Sequence, residues 1–264
     1  MVKARAMDTM TVEEVRHGLQ ETRTVILPVG CVEQHGYHLP LSVDIHNAVE
    51  IALRASALTG CFVAPALSYS FSGGMLLGTI NISPQLFSLL VMEICHSLIG
   101  QGFRNVVILL GHGGTENTRA AYEAAENFQR LNPQLGGITI SVVPFWELSP
   151  TFMRLLGQGE FHASLAETSL MLFWKPELVK MDKARLDSDE LAAAMRTDQD
   201  AYLTRHKEVD HPYVVPKLTQ HPDMEVGVMG TYEQASAALG KTMAEEAVQG
   251  LVAFIGTLDR RHSA

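Results

Sequence analysis

The sequence predicts one α/β domain over residues 1–264, with a mostly parallel central sheet and helices on both faces. Three observations carry that prediction. The strand-like runs, Val-Ile-Leu-Pro-Val at 25–29 and Val-Val-Ile-Leu-Leu at 106–110, are apolar throughout instead of alternating. Strands of that kind are covered on both faces. Each is followed by a segment of helical periodicity, so strands and helices take turns along the chain. The chain has 264 residues, 47% apolar and 19% charged, enough for one full core.

The elements follow in order. Residues 11–20 carry Val12, Val15 and Leu19 at helical spacing, with Thr9 and Thr11 as candidate caps. Residues 24–29 are a short β-branched strand. Helical periodicity resumes over 44–58 through Ala48, Ile51, Ala52 and Ala55, and 61–67 reads as a second strand. The Gly- and Ser-rich stretch 68–81 reads as a functional loop. Ser83-Pro84 opens a helix running to about residue 100, with Pro84 in its first turn. The strand 106–110 ends in Gly111-His112-Gly113-Gly114, a helix follows from about 116 to 131, and 138–145 is another strand. Residues 185–225 are more polar and irregular, an excursion or an oligomer contact. An Ala-rich helix over 231–258 closes the pattern.

Composition narrows the function. The formal charge is −9 with no Lys/Arg cluster, which disfavours nucleic acid and anionic membranes as partners. Three scattered cysteines form no CxxC pair and no disulfide framework, as expected in a reducing cytoplasm. The first eight residues lack the apolar region of a signal peptide, and no run of 18 apolar residues predicts a membrane span. A small-molecule substrate is the partner expected.

The chemistry concentrates in residues 33–46. Glu33, His35, His38, Asp44 and His46 are five metal-capable side chains in fourteen positions, placed directly after a strand. Ligands tend to sit at the carboxyl ends of parallel strands. Mixed imidazole and carboxylate ligands suit zinc, manganese or iron better than calcium. Glu33 and His35, two apart on an extended chain, point to one side. Asp44 can return as a carboxylate bridging two cations, Glu33 on one and His35 on the other. The bland reading is a polar loop with a capping Asp. His38 and His46 are not needed for a two-metal site and stand as supporting or capping candidates.

Three further segments carry candidates. His112 lies at a strand end among glycines that let the backbone approach a ligand, or in an incidental Gly-rich turn. In the run 160–169, His162 is a candidate general acid/base and Glu167 a ligand or base. The same run reads equally as Ser164 capping a helix with Glu167 in its first turn. Ser72, Gly73 and Gly74, with Gly113, are candidate substrate contacts through their backbone; a plain flexible loop is the alternative at 72–74. Met75, Trp146 and Trp174 read as core or pocket wall.

These residues carry a resemblance. The run P-V-G-C-V-E-Q-H-G-Y-H-L-P-L-S-V-D resembles the creatininase (creatinine amidohydrolase) signature P-x-G-x-x-E-Q-H-G-x-H-L-P-x-x-x-D. L-G-H-G-G is similar to the family's N-G-H-G-G, and H-A-S-L-A-E-T-S to its H-A-G-E-x-E-T-S. The resemblance implies a homohexamer and two divalent metals per chain, zinc first, with manganese or iron as alternatives. It implies Glu33, Asp44 and His112 on one metal, and His35 and the bridging Asp44 on the other with one more carboxylate. In creatininase that carboxylate is a Glu two residues past the metal-binding His, a position held here by Gly114. Glu167 is preferred in its place, with Glu116 as fallback. Leu110, Thr115, Ser164 and Leu165 depart from the family pattern.

The implied function is a dinuclear-metal hydrolase whose activated water attacks the carbonyl of a small cyclic amide or formamide. The family also implies an alternative, cleavage of a carbon–carbon bond in a cyclic diketone derived from an inositol. A reading of another class is a metabolite-binding scaffold stapled by metals.

Overall fold

The structure, a computed structural model, describes residues 3–260. The predicted domain's ends, 1–2 and 261–264, lie outside the described residues. In chain order the elements are β1 (Arg5–Ala6), α1 (Val12–Glu21), β2 (Thr24–Val29), α2 (Val43–Thr59), β3 (Phe62–Val63), α3 (Pro84–Gly100), β4 (Asn105–Leu110) and α4 (Thr115–Leu131). They continue with β5 (Thr139–Pro144), α5 (Pro150–Leu156), α6 (Leu165–Trp174), α7 (Asp189–Thr197), β6 (Leu203–His206), β7 (Lys217–Gln220) and α8 (Ala237–Arg260).

Local signals explain several boundaries. Thr11 and Glu14 form a reciprocal capping box that opens α1. Ser83 caps α3 by accepting from the Leu86 amide, and Pro84 occupies the first turn, where its missing N–H costs nothing. Gly60 ends α2 in a left-handed conformation (φ 76°).

The sheet runs β1-β3-β2-β4-β5 with every pair parallel. Alternate residues of the central strands serve opposite cores. Ile26, Val107 and Leu109 face α2, α5, α6 and α8. Val25, Leu27, Val106 and Ile108 face α1, α3 and α4. This two-sided burial is why the strands read as continuous apolar runs. From β2 the chain crosses through α2 to β3 on one side; from β4 it crosses through α4 to β5 on the other. The strand order therefore reverses between β2 and β4, and a crevice opens at their carboxyl ends.

The structure corrects some expectations. The strand predicted at 61–67 shrinks to Phe62–Val63, because Pro65 has no N–H to continue the ladder. One isolated bridge, Val29 to Leu67, remains. The closing helix begins at Ala237, not 231, where Ser236 caps it by accepting from the Leu239 amide, while Thr231 further back donates through its amide and hydroxyl to the Glu160 carboxylate. Met75, expected in a core or wall, is 74% exposed. Residues 185–225 form an excursion containing α7 and an antiparallel β6–β7 hairpin. Among the described residues no helix is long and apolar enough to cross a membrane.

Candidate metal centre

β2 and β4 end in register, Val29 opposite Leu110, and each passes into a glycine. A Cβ on Gly30 would lie 2.6 Å from the Ile45 amide nitrogen, and one on Gly111 would lie 2.0 Å from the Asp44 carbonyl oxygen. Only glycine allows the first turn of α2 to rest on both strand ends. That contact sets Asp44 between the loop after β2, which carries Glu33 and His35, and the loop after β4, which carries His112. The N-terminus of α2 favours a carboxylate there.

The five side chains converge. The Asp44 carboxylate divides its oxygens: Oδ2 lies 3.1 Å from His112 Nδ1, and Oδ1 lies 3.3 Å from His35 Nε2. Glu33 Oε2 lies 3.0 Å from His112 Nδ1, and Glu167 Oε2 lies 3.7 Å from His35 Nε2. Two trios result, Glu33–Asp44–His112 and His35–Asp44–Glu167, each with its candidate ligand atoms within 4.8 Å of one another. A third trio, Glu33–His35–His162, overlaps them. The His35 Nδ1–H donates to the Glu33 carbonyl at 3.0 Å, which leaves Nε2 as the lone-pair nitrogen facing Asp44.

Whether cations fit is tested by what the buried atoms lack. Glu33 Oε2, His35 Nε2 and Asp44 Oδ2 are buried without a hydrogen-bond partner among the described residues, yet all point at the same small volume. Buried polar atoms are ordinarily satisfied. Lone-pair atoms aimed together fit a cation and little else.

The electrostatics agree. Burial pushes the Glu33 carboxyl up, but the rings of His112, His162 and His35 more than offset it and hold it well below the usual range. Asp44 is lowered in the same way, burial opposed by His35 and His112. Burial disfavours charge on His35, yet Asp44 and Glu167 raise it to about 10. Glu33 and Asp44 likewise raise His112 well above its ordinary value against the cost of burial. Burial raises Glu167. The carboxylates thus hold positive charge at the two imidazoles, and a metal bound there would take the place of those protons.

The third segment is built around a strained turn. Ala163 adopts φ 52°, unusual for a residue with a side chain, and its amide donates to Glu167 Oε2 at 2.6 Å. Ser164 is the residue before α6, as one sequence reading had it, but its hydroxyl makes no cap and is buried without a partner among the described residues. Glu160 accepts from the Leu165 amide and from Thr231, so it clamps the turn from outside. His162 Nε2 lies 2.9 Å from the Gln34 carbonyl, an acceptor only, so the proton sits on Nε2 and Nδ1 keeps its lone pair. His38 bonds Thr168 Oγ1 at 2.9 Å, and burial, with His35 and His162 nearby, lowers its pKa to about 4, so it braces α6 as a neutral ring. His46 is half-buried outside the three trios.

The loop 72–74 turns inward rather than offering free amides. The Ser72 and Gly73 amides donate to Asn81 Oδ1, the Gly74 amide to Ser72 Oγ, and the Ser72 hydroxyl to Glu33 Oε1. The loop therefore orients Glu33. Gly113 is exposed and lines the cavity, and a Cβ there would stand 3.7 Å from the Trp146 ring. A Cβ at Gly114 would lie 2.5 Å from His112 Nε2, so that position cannot carry a carboxylate with His112 where it is. Glu116 lines the cavity above the site but belongs to none of the three trios. Trp174 is core, its indole N–H donating to Asn47.

A cavity of about 450 Å³ opens over these residues. Part of its wall comes from the 185–225 excursion, which sequence reasoning left without a role. Tyr202 is the clearest omission. Its hydroxyl lies 3.2 Å from where a Gly73 Cβ would be and has no hydrogen-bond partner among the described residues. Burial, with Glu116, Glu33 and Asp200 near, pushes its pKa up to about 12. No periodicity or motif around Tyr202 signals this placement; it follows from the path of the chain over the sheet.

Fold and site together define a class: an α/β enzyme with an imidazole–carboxylate cluster at the switch point of a parallel sheet, shaped for divalent cations. Comparison with known proteins makes this specific. The creatininase (creatinine amidohydrolase) family profile matches residues 8–255, and the chain belongs to that family of hydrolases. Creatinine amidohydrolase of Pseudomonas putida is 26% identical over 254 residues, 86% of each chain. The mycofactocin precursor peptide peptidase of Mycolicibacterium smegmatis is 27% identical over 238 residues, 86% of this chain and 81% of that one. The solved structure of the Mn form of creatininase matches with a TM-score of 0.75 at 23% identity, over 96% of this chain and 98% of that one, and so shares the fold.

Proposed function

We propose that the protein is a dinuclear-metal hydrolase that cleaves the C–N bond of an amide. The observation that carries this reading is the division of the Asp44 carboxylate between His112 and His35, each ring flanked by a second carboxylate. Glu33, Asp44 and His112 would hold one cation; His35, Asp44 and Glu167 the other. Zinc suits this donor set, as do manganese and iron. Divalent cations bound there lower the pKa of a coordinated water and polarise a carbonyl.

The protein's own groups do the rest. Ser72 holds Glu33 by its second oxygen. The Glu33 carbonyl holds His35 by Nδ1. The Ala163 amide holds Glu167 Oε2. His162, its Nε2–H fixed on the Gln34 carbonyl, keeps Nδ1 to take a proton and return it to the departing nitrogen. The amide-cleaving activity of the Pseudomonas putida relative supports the C–N reading. A homohexamer is proposed for this chain on family resemblance, and light scattering on the purified protein checks it.

The test is metal content and turnover of wild type and Asp44→Ala in parallel. About two metals per chain in wild type, lost with turnover in the variant, is the expected result. Full activity in Asp44→Ala refutes the bridging role. Less than about half a metal in wild type after reconstitution with zinc, manganese or iron moves the reading to a binding scaffold. An amide panel and a keto-cyclitol panel run side by side decide between C–N and C–C cleavage.

A further inference from the structure

The cavity over the metal centre is larger than a small polar ring requires, and part of its wall is apolar. At about 450 Å³ it falls within the range that encloses a drug-sized ligand. At roughly 30 Å³ per water it matches about fifteen waters, and a five-membered cyclic amide replaces about a third of them. Two groups of its polar residues stand out. One is the metal end, with Glu33, His112, His162 and Glu167; the other includes the exposed side chains of Asp200 and Arg205, with Glu116, Glu147 and Tyr202 also in the wall. At the rim Arg205 is paired with Asp200 at 2.6 Å, while Glu116 and Glu147 line the cavity without an ion-pair partner among the described residues, so its net charge toward a substrate is not positive.

The apolar part of the lining comes from two directions. Phe145, Phe152 and Leu156 come from the end of β5 and from α5, with the Phe145 and Phe152 rings edge to face at 5.3 Å. Phe161 comes from the segment before α6, Met224 from the far end of the excursion and Met229 from just beyond it, and the three share a separate apolar cluster. Phe161 directly precedes His162, so a group seated on this wall lies next to the residue that handles the proton. Unbranched Met side chains adapt to the shape of what they cover.

We propose that the substrate is an amide bearing a bulky apolar arm, aryl or branched alkyl, which fills this wall while its carbonyl lies over the metal centre. The proposal takes the hydrolytic reading above as its premise and replaces the small cyclic amide with a larger one. The arm displaces water from apolar surface, and discrimination in such pockets comes from that burial.

Two measurements on the metal-loaded full-length protein test it. The first is kcat/KM for acetamide, isovaleramide, 3-phenylpropanamide and formanilide, with creatinine as the small cyclic reference. The arm-bearing amides should exceed acetamide and creatinine by about tenfold or more. Leu156→Gln should cut that ratio several-fold. Turnover that is flat across the series, or highest for creatinine, overturns the proposal and leaves the hydrolase standing. The second needs no turnover: dissociation constants of acetohydroxamate and 3-phenylpropanohydroxamate, which anchor on the metals. Tighter binding of the aryl compound by about tenfold is expected. Equal binding overturns the apolar wall whatever the turnover. Tight aryl binding with no amide cleaved overturns the hydrolytic premise instead.

Discussion

Replacing Gly111 with alanine tests how the metal centre is assembled without touching any proposed ligand. A Cβ there would lie 2.0 Å from the Asp44 carbonyl oxygen and 2.9 Å from its carbonyl carbon. Ordinary contact begins at 3.4 Å, so the end of β4 and the start of α2 must part by about 1.4 Å. Neither neighbour is a flexible side-chain tip; both are backbone. Coordination distances tolerate about 0.2 Å, so a shift of this size separates Asp44 from at least one partner ring. Overpacking of this kind costs about 1–3 kcal/mol, which for a chain of this length lowers Tm by roughly 2–12 °C. The metals should suffer more than the fold, with apparent affinity falling by at least about 10–100-fold. The assay is elemental analysis after dialysis against limiting zinc or manganese, with melting curves of metal-loaded and chelator-stripped protein. Gly136→Ala is the control, because nothing lies within 4 Å of a Cβ there. A Gly111→Ala protein that keeps wild-type metal affinity and wild-type Tm refutes the packing argument.

Further predictions follow from other parts of the structure. Glu167→Gln should release one of the two metals, whereas Glu116→Gln should keep both, since only Glu167 faces His35; equal losses in the two variants would contradict this. Tyr202→Phe removes a cavity hydroxyl that bonds nothing within the fold, so kcat/KM should fall about tenfold while Tm stays within about 1 °C. A Tm loss of several degrees would show the hydroxyl to be structural. Glu246 on α8 accepts from Ser149 Oγ, Thr151 N and Thr151 Oγ1 at the start of α5, and Glu246→Ala should destabilise by about 1–2 kcal/mol at pH 7. Burial pushes the Glu246 carboxyl up, but the hydrogen bonds from Ser149 and Thr151 more than offset it and lower its pKa. Its contribution is therefore complete above the unfolded value and is lost as pH falls through the lower folded one. The Tm gap between wild type and variant should close below about pH 4, and a gap unchanged at pH 3 would argue against the charged cap.

Much of this protein is legible in its order of residues, for reasons of local physics. Strands buried on both faces must be apolar throughout, so β2 and β4 announce themselves and with them the parallel sheet. Helix starts such as Thr11 and Ser83-Pro84 are written in the caps that satisfy their own free amides. The ligand-rich stretch from Glu33 to His46 stands out by density alone. Where the signal depends on a partner far along the chain, the sequence is silent. Nothing near residue 231 shows that Thr231 will donate to Glu160, 71 positions earlier. No spacing rule says that Gly114 is barred from bearing a side chain by the ring of His112, while Glu167, 53 positions later in the same numbering, comes to face His35. Tyr202 and Met224 belong to a polar, irregular stretch whose role is fixed only when it folds over the cavity. The sequence by itself determined the fold class and the donor atoms, because both follow from composition and period. Only the tertiary structure decided which candidate donors come together and what lines the cavity above them, because those contacts join residues far apart along the chain.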